Sequence, residues 1–174
     1  MKSKRCDGGN PIKGGFSFGL TSAIITTLGL MIGLAFSTKS KIVVIAGIIT
    51  IAIADSFSDS LGMHLSEESR LKFKTKDVWI STLATFLSKF FFAFTFIIPV
   101  LFFDLITASI IGAVYGIILL SALSFNIARK RKESVFKAIF SHLLIAIFVI
   151  LCTYLVGRII NIYFFNISWG SGFI

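Results

Sequence analysis

Five long apolar runs, separated by short polar or basic stretches, dominate the 174-residue chain. They cover about residues 16–36, 42–64, 78–100, 105–127 and 138–157. Each has the ~20 residues an α-helix needs to cross the hydrocarbon layer. In lipid a helix satisfies its own backbone polar groups, which an open strand cannot do. A barrel would need alternating strands, and a run such as IAIFVIL (residues 145–151) does not alternate. The pattern predicts an all-α membrane protein: one domain, residues 1–174, with five transmembrane helices.

Composition agrees. The chain is 56% hydrophobic, with 20 Phe and only 2 Pro, against roughly 45–50% apolar residues in soluble domains. The net charge of +9 on a soluble protein would suggest nucleic acid. Here the basic residues fall in short segments between apolar runs, so topology accounts for them and no nucleic-acid partner is expected. Thirteen lie before the first run and after the second and fourth: Lys2, Lys4, Arg5, Lys13, Arg70, Lys72, Lys74, Lys76, Arg129, Lys130, Arg131, Lys132 and Lys137. Two, Lys39 and Lys41, lie in the other connections. The asymmetry predicts a cytoplasmic N-terminus and an outside or lumenal C-terminus, in a multi-pass protein of the cell membrane. The basic tail lacks a cleavage site and reads as retained rather than as a signal peptide. Cys6 and Cys152 fall in a tail and a span, so no disulfide is expected. The Asn166-Ile-Ser168 sequon carries no weight by itself.

The polar residues inside the runs carry the candidate chemistry. An Asp at the centre of a span costs roughly 2.5–3.5 kcal/mol on the insertion scale, and the second run contains two, Asp55 and Asp59. Four residues apart, they share a helix face, and steps of four continue to Met63 and Glu67. Carboxylate oxygens and a thioether are both metal-ligand types, so this stripe is a candidate cation path; the alternative is a structural polar seam. Lys89, well inside the third run, is either a counter-ion to Asp55 or Asp59 or a snorkelling side chain. His64 is an accessory ligand or proton relay, or an ordinary interfacial His. Glu67 and Glu68 belong at the membrane mouth, and Arg158 at an interface. Ser17, Thr21, Ser22, Thr26 and Thr27 make the first run polar enough to face another helix. Gly15–Gly19, Gly29–Gly33 and Gly112–Gly116 give GxxxG spacings suited to close packing. No nucleotide-binding, GxSxG, HExxH or CxxC pattern is present, so neither an enzymatic function nor a cofactor is expected.

FGLTSAIITTLGLMIG (residues 18–33), IADSFSDSLGMHLSEES (residues 53–69) and TYLVGR (residues 153–158) resemble the vacuolar iron transporter family. The family's patterns there run approximately F-G-A-N-D-G-L-V-T-T-L-G-L-V-x-G, I-A-D-G-L-S-M-x-x-G-E-Y-L-S-x-x-S and T-Y-L-I-G-R. The resemblance implies a homodimer of five-helix subunits that moves iron(II), and often manganese(II), out of the cytosol in exchange for protons. It also implies a pathway at the dimer interface, lined by the first two spans. Asp55 matches the family's second-span Asp. Ser22 falls at its first-span Asp, Asp59 at its Met and Met63 at its Glu, and the family's long cytoplasmic metal-binding helices are missing. The expectation is a divalent-cation exporter with Asp55, Asp59, Met63 and Glu67 as ligands and Ser22, His64 and Lys89 as accessories. Protonation of the same carboxylates offers a release step. The alternative is a non-transporting membrane scaffold that kept the fold.

Overall fold

A computed structural model describes residues 10–69 and 74–165. Cys6, the sequon, Arg70, Lys72 and the first nine residues, with Lys2, Lys4 and Arg5, lie outside the described residues. The elements are α1 (Pro11–Thr38), α2 (Lys41–Glu68), α3 (Thr75–Thr95), α4 (Ile97–Phe102), α5 (Leu105–Arg131) and α6 (Val135–Ile160). One π-helical turn, Asn161–Phe165, follows α6. With α3 and α4 counted as one span (Thr75–Phe102), five helical segments are long and apolar enough to cross a membrane. The all-α, five-span expectation therefore stands.

The helices outrun the apolar runs that predict them. α1 and α2 each have 28 residues, about 42 Å at 1.5 Å per residue, against a hydrocarbon core of about 30 Å. The extra turns end on local signals that hydropathy does not register. Asn10 caps α1, its side chain accepting from the Ile12 N–H at 3.0 Å, and Pro11 takes the first helical position. Asp104 caps α5 by accepting from the Thr107 N–H at 3.1 Å. Hydrogen bonds from Thr107, side chain first and backbone second, hold that carboxyl below its ordinary pKa. Lys39 and Lys132 stop α1 and α5 in the left-handed conformation, at φ 53° and 56°. Arg129, Lys130 and Arg131 occupy the last turn of α5, where the helix dipole favours cations.

The third span is broken, which its apolar run does not indicate. Pro99 lacks the N–H that would reach the Thr95 carbonyl, and the Phe96 N–H bonds three residues back to Ala93 at 3.2 Å rather than four back to Phe92. The helix therefore interrupts at Phe96 and resumes as α4.

α1 is the centre of the bundle, packed against α2, α3, α5 and α6. Leu20, Ile24, Leu28 and Met31 of α1 form the core with Ile48, Phe96, Val100 and Leu120. Buried small residues let the neighbours approach. A Cβ on Gly19 would strike Ser88 and the Thr85 carbonyl, and one on Gly15 the Ser81 carbonyl. Gly29 meets Val149 and Thr153 of α6, and Gly116 receives Leu28. All three GxxxG spacings are thus used within the chain.

The contact registers give the topology. Gly15 with Ser81, Gly19 with Ser88 and Ser22 with Lys89 advance together, so α1 and α3 run parallel. Asn161 donates to the Ser37 carbonyl at 2.8 Å, past Gly29 with Thr153, so α6 runs parallel to α1. Asp59 with Lys89 and Glu67 with Ser81 retreat, so α2 is antiparallel to α3. α5 is antiparallel to α1, with Gly112 on Met31 and Gly116 on Leu28. This up-down order puts Lys13, Lys74, Lys76, Arg129–Arg131, Lys132 and Lys137 at one end and Lys39, Lys41 and Arg158 at the other.

Candidate intramembrane cation site

Asp55 sits midway along α2 and Lys89 midway along the third span, with Asp59 one turn from Asp55. The Lys89 Nζ lies 2.5 Å from Asp55 Oδ2, 2.5 Å from Asp59 Oδ2 and 2.8 Å from Ser22 Oγ. It donates hydrogen bonds to Asp59 and Ser22. Towards Asp55 the contact has ion-pair distance without hydrogen-bond geometry, which leaves that oxygen with no donor aimed at it. Of the two readings of Lys89, counter-ion and snorkelling side chain, its position is that of the counter-ion, and it serves both carboxylates at once.

Local packing fixes this arrangement. The α1–α3 contact at Gly15 and Gly19 brings Ser22 and Lys89 onto adjoining turns. Thr85 reinforces it by donating to the Gly15 carbonyl at 3.2 Å as well as to Ser81 of its own helix. On α2 the buried side is Val44, Ile48, Ala52, Ser56 and Ser60, and it turns the two Asp residues to the edge of that face. The ammonium is 1% exposed, while Asp55 and Asp59 are 26% and 20% exposed. The two Asp side chains are therefore partly accessible from outside the bundle, while the Asp55 oxygen facing Lys89 and the ammonium itself are buried. A groove of about 500 Å³, lined by Leu30, Gly47, Thr50, Ile51, Ala54, Asp55 and Ser58, runs up to Asp55.

The stripe does not close into one ligand set. Twelve residues separate Asp55 from Glu67, about 18 Å along the helix, so no single ion could touch both. Met63 and Glu67 instead line a second cavity of about 450 Å³ with Gly14, Phe18, Gly62 and Ser66. Glu67 is buried, with one oxygen accepting from Ser81 at 3.0 Å and the other without a hydrogen-bond partner among the described residues. Among the described residues, no three His, Cys, Asp or Glu side chains gather as a group that could hold a metal.

His64 faces α3, away from the carboxylates. Its Nδ1 lies 2.9 Å from Thr82 Oγ1, and its ring stands 4.7 Å from that of Trp79, nearly edge-on. The Thr82 hydroxyl also donates to the Val78 carbonyl at 2.8 Å, so the His64–Thr82 contact ties α2 to α3. Glu68 is exposed at the end of α2, and Arg158 is exposed beside a cavity it shares with Lys39, Lys41 and Asp104. The exposed face of α2 carries Thr50, Ala54, Ser58, Gly62 and Ser66 at four-residue spacing, next to the groove. Sequence reasoning missed that stripe, although its small side chains at i, i+4 were there to be read.

Comparisons with protein-family models, with curated proteins and with solved structures find no match.

Proposed function

We propose that the chain is a membrane cation transporter whose binding site is built on Asp55 and Asp59 with Ser22. One observation carries the reading: two carboxylates and a hydroxyl, from two helices, gather around a positive charge half-way along the spans and beside an open groove. Ionisable groups at that depth are costly, and ion paths are where membrane proteins keep them. Oxygen donors suit hard divalent ions, and Met63 lies on the way to the end bearing most of the basic residues. Together with the family resemblance, this favours manganese(II) or iron(II) as cargo, exported from the cytosol with protons as the exchanged ion. The basic end is cytoplasmic under the positive-inside rule, and the cell membrane is the proposed location. The small-residue stripe Thr50, Ala54, Ser58, Gly62 and Ser66 supports a homodimer that covers the groove.

Manganese(II) flux into proteoliposomes by wild type and Asp59→Asn tests the reading. Asn keeps the size of the side chain and removes its charge, so flux should vanish while the protein stays folded. Equal flux by the two proteins would remove Asp59 from the ligand set.

A second reading has its own support. Lys89 compensates both Asp residues and braces α2 against α1 and α3, as it would in a scaffold that transports nothing. In that case wild type itself gives no flux.

A further inference from the structure

Lys89 is among the largest fully buried side chains of the protein, and it is charged. Its ammonium has three N–H groups and three oxygens within 2.8 Å: two carboxylate and one hydroxyl. A desolvated metal cation would ask for the same ligand types at the same place. The charges do not balance, however. Two carboxylates and one ammonium leave a single negative charge. A divalent ion added beside the ammonium would make the cluster positive, with like charges a few ångströms apart in a medium that screens them poorly. With the ammonium gone, two carboxylates match a divalent ion.

We propose that Lys89 is a tethered competitor: its ammonium holds the Asp55–Asp59 site shut, and a divalent cation binds only as the ammonium is displaced. The inference rests on the cation-site reading above and adds the residue that gates and tunes it. The fold separates the two parts that must move apart. Lys89 and Ser22 ride on α3 and α1, which are locked at Gly15 and Gly19, whereas both carboxylates belong to α2. The Lys stem is flexible, so either its rotation or a slide of α2 opens the site. The approach is one-sided, because the groove reaches Asp55 and the ammonium lies behind it.

Manganese(II) alone serves as the probe, with the full chain in lipid nanodiscs and binding read from the loss of the free-ion electron paramagnetic resonance signal. Lys89→Gln should bind at least tenfold more tightly than wild type. Lys89→Arg, which keeps the charge, should bind no more tightly than wild type. Lys89→Gln combined with Asp59→Asn should lose the gain. Binding by wild type that equals or exceeds that of Lys89→Gln would overturn the competitor while leaving the cation site in place. No binding by wild type or by Lys89→Gln would overturn both. If Lys89→Gln does not fold, Lys89→Met fills the space without charge. Manganese(II) should then raise its melting temperature more than that of wild type, and an equal or smaller rise would overturn the proposal.

Discussion

Replacing Gly19 by Ala should loosen the contact that sets the site. An added Cβ there lies well inside van der Waals contact with Ser88 Oγ and the Thr85 carbonyl oxygen, with the Lys89 N at 3.2 Å. The Ser88 hydroxyl can turn away, but the backbone carbonyl cannot without moving α3. Forcing one extra carbon into such a contact costs about 1–3 kcal/mol. Against this, Ala is the better helix former by about 1 kcal/mol, so Gly19→Ala alone should be neutral to about 2 kcal/mol destabilising. Gly14 supplies the control, because a Cβ on it meets nothing within 4 Å among the described residues. Gly14→Ala should collect the helix-propensity gain without the clash. The difference between the variants isolates the overpacking term, so Gly19→Ala should be about 1–3 kcal/mol less stable than Gly14→Ala. Unfolding of both followed by circular dichroism in one detergent measures it. Equal stability, or a more stable Gly19→Ala, would refute close α1–α3 packing and with it the support for Lys89 against Ser22.

Two further outcomes follow from the topology and the α2 stripe. In a variant lacking the native Cys residues, a Cys introduced in the 129–137 connection should resist impermeant thiol reagents added outside intact cells; labelling there would reverse the orientation. Among the described residues nothing lies within 4 Å of a Cβ on Gly62, so Gly62→Leu should leave the fold intact yet abolish the cross-linking through Cys at Ser58 that the proposed homodimer predicts; unchanged cross-linking would overturn that interface.

Hydropathy was enough to read the five spans, because predominantly apolar runs of about twenty residues leave a helix as the only structure that satisfies its backbone in lipid. It did not give their ends, which depend on Asn10, Asp104 and two left-handed Lys residues lying beyond the hydrocarbon. Pro99 is plain in the sequence, but it stands amid Phe and Ile that keep the hydropathy high, so the break at Phe96 left no mark there. The shared face of Asp55 and Asp59 follows from helical geometry within one segment. Their common partner does not, since the approach of Lys89 depends on the register between α2 and α3, which a single sequence does not encode locally. The same limit applies to the glycines: the spacing of Gly15 and Gly19 was legible, but their seat on Ser81, Thr85 and Ser88 was not. Met63 and Glu67 were grouped with the Asp pair because a stripe projects onto one face, although rise along the axis keeps its two ends apart.

The central position of α1 has a consequence for biogenesis. The helix with the most neighbours is synthesised ahead of all of them, and it enters the bilayer before they exist. Until α3 emerges, Gly15, Gly19 and Ser22 lack the neighbours that cover them, and until α6 emerges so do Gly29 and Gly33. The bond from Asn161 to Ser37 joins residues 124 positions apart, so α6 closes over α1 only after the spans between them have been made. A nascent chain stalled before α6 would carry its core helix with one flank uncovered, offering quality-control machinery a surface that the finished protein hides.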